Sequence, residues 1–110
     1  MYHNELLKGN TETLLLSLLT GEAMYGYQIV KEMENRSNGY FQFKEGTLYP
    51  ALHRLERAGL LEGRWMNSSN GVARRYYHIT AKGERALLER QTEWRRFSMA
   101  VNSIMPAEAG

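Results

Sequence analysis

His53, Arg54 and Arg57 lie close together in the middle of the chain, and Arg74 and Arg75 follow a short way on. Their chemistry is anion recognition: a guanidinium is a permanently charged planar fork that fits two phosphate oxygens or the acceptor edge of a guanine. Covalent or metal-assisted chemistry finds little material here. His3, His53 and His78 are dispersed with no acidic cluster beside them, so neither a metal site nor a hydrolytic triad is expected. The chain contains no cysteine, which removes thiolate nucleophiles, zinc-thiolate sites and a disulfide framework. No enzyme activity, metal or cofactor is expected.

The element that must position the first three is the run from Glu45 to Gly59. At about 100° per residue, Leu48, Leu52 and Leu55 share one stripe, while Gly46, Pro50, His53, Arg54 and Arg57 point away from it and Tyr49 stands on the flank. Thr47 is an N-cap candidate, Pro50 then falls in the first turn where an amide is dispensable, and Gly59 supplies the stop. The result is a helix with an apolar inner face and a cationic outer one.

Two helices precede it. Leu7, Leu14, Leu15, Leu18 and Leu19 recur at helical spacing over residues 6–20, ahead of Gly21, and Ile29, Val30 and Met33 do so over residues 25–36, ahead of Ser37-Asn38-Gly39. The alternating Tyr40-Phe41-Gln42-Phe43 reads as an extended connector or a minor strand. After the cationic helix come two β-favouring runs, residues 60–66 and 72–79, separated by a five-residue polar loop containing Asn70-Gly71, a hairpin signal whose turn type the loop length leaves open. Arg74 and Arg75 alternate across the second run, so at most one faces a ligand while the other packs or meets solvent. Thr80 caps a long last helix in which Leu87, Trp94 and Val101 repeat every seven residues, with Phe97 and Ile104 filling alternate positions and only Arg90 polar.

With 110 residues the chain has room for one domain. The net charge of +2 is unevenly spread: residues 1–43 are net −2, residues 44–78 net +3 and residues 79–110 net +1. The longest aliphatic runs fall far short of the roughly 20 residues that span a bilayer. The first residues carry no secretory pattern, so no membrane partner and a cytoplasmic location are expected.

Three helices, a two-stranded hairpin and a long final helix, in that order, describe an α+β, mostly α fold: the winged helix-turn-helix, whose third helix enters the major groove while the hairpin reaches the flanking backbone or minor groove. Residues 1–79 would form the DNA-binding part, residues 80–105 a dimerisation helix within the same compact unit, and residues 106–110 a frayed tail. The stripe Leu87, Trp94, Phe97, Val101 and Ile104 is too long for one small core to cover, and the surplus leucines of the first helix are expected to pack across the partner's last helix.

The segment Glu45-Gly46-Thr47-Leu48-Tyr49-Pro50-Ala51-Leu52-His53-Arg54-Leu55-Glu56 with Gly59-Leu60-Leu61, supported by Tyr25-Gly26-Tyr27-Gln28-Ile29 and by Arg74-Arg75-Tyr76-Tyr77-His78-Ile79-Thr80, resembles the PadR family of bacterial transcriptional regulators over nearly the whole chain. The wing departs from the family, with Asn70-Gly71-Val72-Ala73 where a glycine pair and a proline are frequent. The resemblance implies a dimeric DNA-binding repressor acting on an inverted repeat, with Thr47, Tyr49, His53, Arg54, Arg57, Arg74 and Arg75 at the DNA and Leu87, Trp94, Phe97, Val101 and Ile104 at the dimer interface. It further implies a planar aromatic effector stacked on Trp94, since drug-sensing relatives carry a tryptophan at that place.

Several residues keep two readings. His53 is a DNA contact or an idle surface residue; Arg54 contacts DNA or joins a helix salt bridge; Tyr49 bonds a phosphate or covers the core edge. Tyr25, Tyr27, Tyr76 and Tyr77 read as packing rather than a base-stacking platform, and Trp94 is a dimer-core anchor or the wall of an effector slot. The competing function is a winged-helix module that binds protein instead of DNA, which should show exposed aliphatic residues on the third helix.

Overall fold

The computed structural model describes residues 9–105. Helix α1 (Thr11–Gly21) is followed by α2 (Gly26–Arg36), α3 (Glu45–Arg57), the hairpin strands β1 (Leu61–Asn67) and β2 (Ala73–Ile79), and α4 (Ala81–Ile104). The element order is the one expected, and the fold is the winged helix. The start of the predicted first helix and the tail at 106–110 lie outside the described residues. Within them, Gly9 and Asn10 form a turn, so α1 begins at Thr11.

The core sits where α1, α2 and α3 meet under the sheet. Leu15, Leu16, Leu18 and Leu19 of α1, Ile29 and Met33 of α2, and Leu48, Ala51, Leu52 and Leu55 of α3 are buried together with Phe43, Leu60, Leu61 and Tyr77. Leu15, Leu16, Leu18 and Leu19 are thus absorbed by this chain's own core and are not free to cover a second chain's helix, while Leu14 is only partly buried. Four leucines fit because α1 meets α2, α3, α4 and β2, so more than one of its sides is covered.

Local chemistry fixes the ends of these elements. The chain leaves α2 through Ser37, whose hydroxyl donates to the Met33 carbonyl at 2.7 Å and accepts the Phe41 N–H at 2.8 Å. Asn38 and Gly39 adopt positive φ of 53° and 82° there, the left-handed turn that asparagine and glycine tolerate. Tyr40-Phe41-Gln42-Phe43 is irregular, not a strand. Helix α3 starts one turn earlier than expected: extended Lys44 is its N-cap, and the Leu48 N–H donates to the Lys44 carbonyl at 2.9 Å. Thr47 is therefore an exposed first-turn residue and not the cap. Pro50 consequently sits in the second turn, where it can offer no amide to the Gly46 carbonyl.

Strands β1 and β2 pair antiparallel in the register Leu61↔Ile79 to Asn67↔Ala73, and Met24 adds a single bridge to Tyr77 on the open edge of β2. In the connecting loop Ser68 accepts the Gly71 N–H at 2.9 Å, and Gly71 takes a φ of 84°. Asn70 is not in the left-handed region, so the turn is not the two-residue kind that Asn-Gly favours in isolation.

Thr80 caps α4, accepting the Gly83 N–H at 3.0 Å and donating to the Gly59 carbonyl at 2.7 Å. Gly83 lies against the Leu60 carbonyl, with no room for a Cβ. Only Gly83 and Leu87 of α4 are buried. The helix has 24 residues, roughly 36 Å at 1.5 Å per residue, and its second half projects from the body. This explains extents of 53 × 28 × 23 Å for so short a chain.

Candidate nucleic-acid interface

The outer face of α3 is built as its periodicity requires. With Leu48, Leu52 and Leu55 committed to the core, Gly46, Thr47, Pro50, His53, Arg54 and Arg57 are all exposed, and no large apolar side chain interrupts them. His53 and Arg57 flank a shallow open hollow with Glu56, and among the described residues neither makes an ion pair. Arg54 is engaged: its Nε donates to Oε2 of Glu12 on α1 at 2.9 Å. Its partner is thus a residue of another helix and not the neighbouring Glu56, because Glu56 turns toward the wing. Tyr49 is half-buried, its hydroxyl against the backbone of Gly26, where a Cβ would collide with it. The absent side chain at Gly26 is what lets α2 and α3 approach there.

Each arginine of the wing takes one face of β2. Arg74 lies over the ring of Tyr25, 4.6 Å from its centroid, and Tyr25 meets Tyr76 edge-on with centroids 5.4 Å apart. Arg75, on the opposite face, donates from Nη2 to Glu56 Oε2 at 2.6 Å. Its guanidinium also lies 5.9 Å from the ring centroids of both Trp65 and Tyr77. The hydrogen bond to Glu56 is the main cause holding the Arg75 guanidinium more firmly protonated than usual, against the opposing cost of burial. Burial likewise pushes the Tyr77 phenol up, helped by the Glu56 charge. Of the four tyrosines expected to pack, Tyr77 is buried and Tyr25 and Tyr76 are half-buried, but Tyr27 is exposed beneath the Lys31 ammonium.

Trp65 is a feature the sequence reading passed over. It is 67% exposed on the wing, directly opposite Arg75 in the strand register. Gly63 was readable: a glycine inside a strand signals a close approach, and here the Arg75 guanidinium passes where its Cβ would be. Nothing local announced Glu12, which is separated from Arg54 by 42 positions.

On α4, the expected stripe divides in two. Leu87 is only 5% exposed and belongs to the chain's own core, because it lies in the first half of α4, which packs on α1. Trp94, Phe97 and Ile104 are 52, 60 and 82% exposed, Val101 is half-buried, and Leu88, Met99 and Met105 extend the apolar surface. The Trp94 and Phe97 rings lie 5.8 Å apart and tilted by 31°. No group of His, Cys, Asp or Glu among the described residues could hold a metal ion, and no helix there is long and apolar enough to cross a membrane.

Comparison with known proteins agrees with this geometry. The sequence pattern of the transcriptional regulator PadR-like family matches residues 15–89, from the middle of α1 into α4. An uncharacterised protein of Lysinibacillus sphaericus is 34% identical over 105 residues, covering 96% of each chain. The crystal structure of a PadR-like transcriptional regulator from Bacillus cereus superposes with a TM-score of 0.82 at 35% identity, covering 94% of this chain and 99% of that one. A transcriptional regulator from Clostridium thermocellum gives the same TM-score at 30% identity, covering 90% and 96%. With an exposed cationic third helix and a two-stranded wing, the chain belongs to the PadR-like family of transcriptional regulators, a family of regulators and not of enzymes.

Proposed function

We propose that this regulator binds an inverted-repeat operator in duplex DNA as a homodimer and represses transcription from it. The observation that carries the reading is the outer face of α3, where His53, Arg54 and Arg57 stand exposed without a large apolar neighbour. A surface that docked on protein would bury aromatic or aliphatic anchors at its centre. A polyanion is the partner that this face suits, and Arg57 and His53 are free to reach it. Thr47 and Arg74 extend the contact area, whereas Tyr49 and Arg75 act by holding α3 and the wing in place.

The apolar half of α4 supports the dimer. Trp94, Phe97 and Ile104, with half-buried Val101, form a surface that a second α4 related by a two-fold axis would cover with the same residues. Such an axis sets two α3 helices on one face of a duplex, hence the palindromic operator. Near that axis the indole of Trp94 and its mate would bracket a planar aromatic effector, whose binding would alter the spacing of the two DNA-reading heads. The direct test is equilibrium binding of the purified protein to duplexes selected from a random library, repeated over a range of salt. Specific binding that weakens steeply with salt and with Arg57→Ala supports the reading; binding indifferent to both overturns it.

A further inference from the structure

Arg54 carries a second interaction that reaches beyond its own helix. Glu12, in the first turn of α1, accepts from Arg54 Nε through Oε2 at 2.9 Å, and its other oxygen, Oε1, lies 3.7 Å from Nη1 of Arg90 on α4. One carboxylate is therefore held between a guanidinium of the recognition helix and a guanidinium of the long helix. The two anchoring points are unlike. Arg54 is more than half exposed at its side chain, whereas Glu12 and Arg90 are about two-thirds covered. The carboxylate and Arg90 are the sheltered part, and Arg54 is the part that meets solvent.

The contact uses the inner nitrogen of Arg54. A guanidinium grasped at Nε keeps its outer Nη edge pointing onward, and that edge is the one that recognises a guanine or a phosphate bidentately. The nearby negative charge acts in a second way. It offsets the charge of Arg54 toward any phosphate that passes, a loss that a well-placed bidentate contact tolerates better than a loose, purely Coulombic one.

We infer that Glu12 is a positioning residue for DNA recognition: sheltered beside Arg90, it aims Arg54 at its target and suppresses that arginine's capture of phosphates at random sites. The inference rests on the proposed DNA reading and assigns it a specificity device in α1. As a bare surface ion pair the Glu12–Arg54 contact contributes little to folding, so its removal should be visible in DNA binding and not in stability.

The test measures affinity for a library-selected duplex and for a scrambled duplex of equal composition, over a range of salt, for wild type, Glu12→Gln, Arg54→Ala, the double variant, Arg54→Lys and Arg57→Ala. Glu12→Gln keeps the shape and an acceptor for Nε but removes the charge. It should raise affinity for the scrambled duplex several-fold and steepen its salt slope by about one, the signature of one additional phosphate contact. The ratio of selected to scrambled affinity should fall accordingly. In the Arg54→Ala background the same substitution should change nothing. Arg54→Lys, which keeps the charge but has no inner nitrogen to hold, should lose most of the discrimination. Persistence of the Glu12→Gln effect without Arg54 would reduce it to general charge and overturn the assignment. A Glu12→Gln variant indistinguishable from wild type while Arg57→Ala still weakens binding would overturn the assignment and leave the DNA reading standing. Indifference of both duplexes to Arg57→Ala and to salt would remove the DNA reading and the assignment together.

Discussion

Arg75 on β2 and Glu56 in the last turn of α3 are joined by a 2.6 Å hydrogen bond, and the same carboxylate oxygen accepts the backbone N–H of Gly63 at 3.1 Å. One acidic side chain thereby ties the C-terminal end of the recognition helix to both strands of the wing. In the proposed DNA complex α3 and the wing meet one duplex together, so this tie would set the angle between the two elements that reach it.

Removing it should therefore affect stability and binding alike. Glu56→Ala leaves a half-buried guanidinium unpaired and a strand amide unsatisfied, and it should cost about 1–3 kcal/mol of folding free energy. Urea unfolding followed by circular dichroism measures this. A change below about 0.3 kcal/mol would show the contact to be no better than an exposed surface pair.

Gly83→Ala tests the seat of α4. The added Cβ would meet the Leu60 carbonyl, a backbone atom that cannot swing aside, and the Ile79 side chain. A loss of about 1–3 kcal/mol is expected, as for overpacking elsewhere in folded interiors. In contrast Gly46→Ala, which meets nothing within 4 Å, should be neutral or slightly stabilising in its helix. Thermal melts of the pair compare the two directly.

Arg57→Ala should weaken operator binding by roughly 1–3 kcal/mol if the guanidinium reads a base, with relaxed preference at one position in each half-site. If it meets a phosphate, the loss should be uniform across sequences and the salt slope should fall by about one. Titrations of the operator and its single-base variants at several salt concentrations separate the two outcomes.

Phe97→Glu should dissociate the proposed dimer without unfolding the protomer, since Phe97 is exposed and contributes nothing to the core. Sedimentation should show monomers that keep the wild-type helical signal. Leu87→Glu should instead unfold the protein, because Leu87 is buried within the protomer. A monomeric, fully folded wild type at micromolar concentration would contradict the interface.

Trp94 can be followed on its own once Trp65 is replaced by phenylalanine, since the chain holds two tryptophans. Planar dyes or flavin-like compounds should quench its emission and lower operator affinity together. Quenching that leaves DNA affinity unchanged would make Trp94 a packing residue.

What the sequence by itself determined were the features written in local spacing. The stripe Leu48, Leu52 and Leu55 dictated which way α3 turns, so the exposure of His53, Arg54 and Arg57 was legible in the spacing alone. The alternation in β2 likewise required Arg74 and Arg75 to take opposite faces. Thr80 announced the start of α4 because an N-cap bonds within three residues of itself. Tertiary structure alone decided which apolar and charged groups meet. Leu87 and Trp94 share a heptad stripe, yet one is core and the other surface, because only the first half of α4 has α1 beside it. Lys44 displaced Thr47 as the cap of α3, and Arg54 took Glu12 in place of Glu56, since α1 brings a carboxylate to α3 while the wing claims Glu56. Partners so far apart in the chain leave no periodic trace, because their meeting depends on how whole elements pack and not on the dihedral repeat of either one.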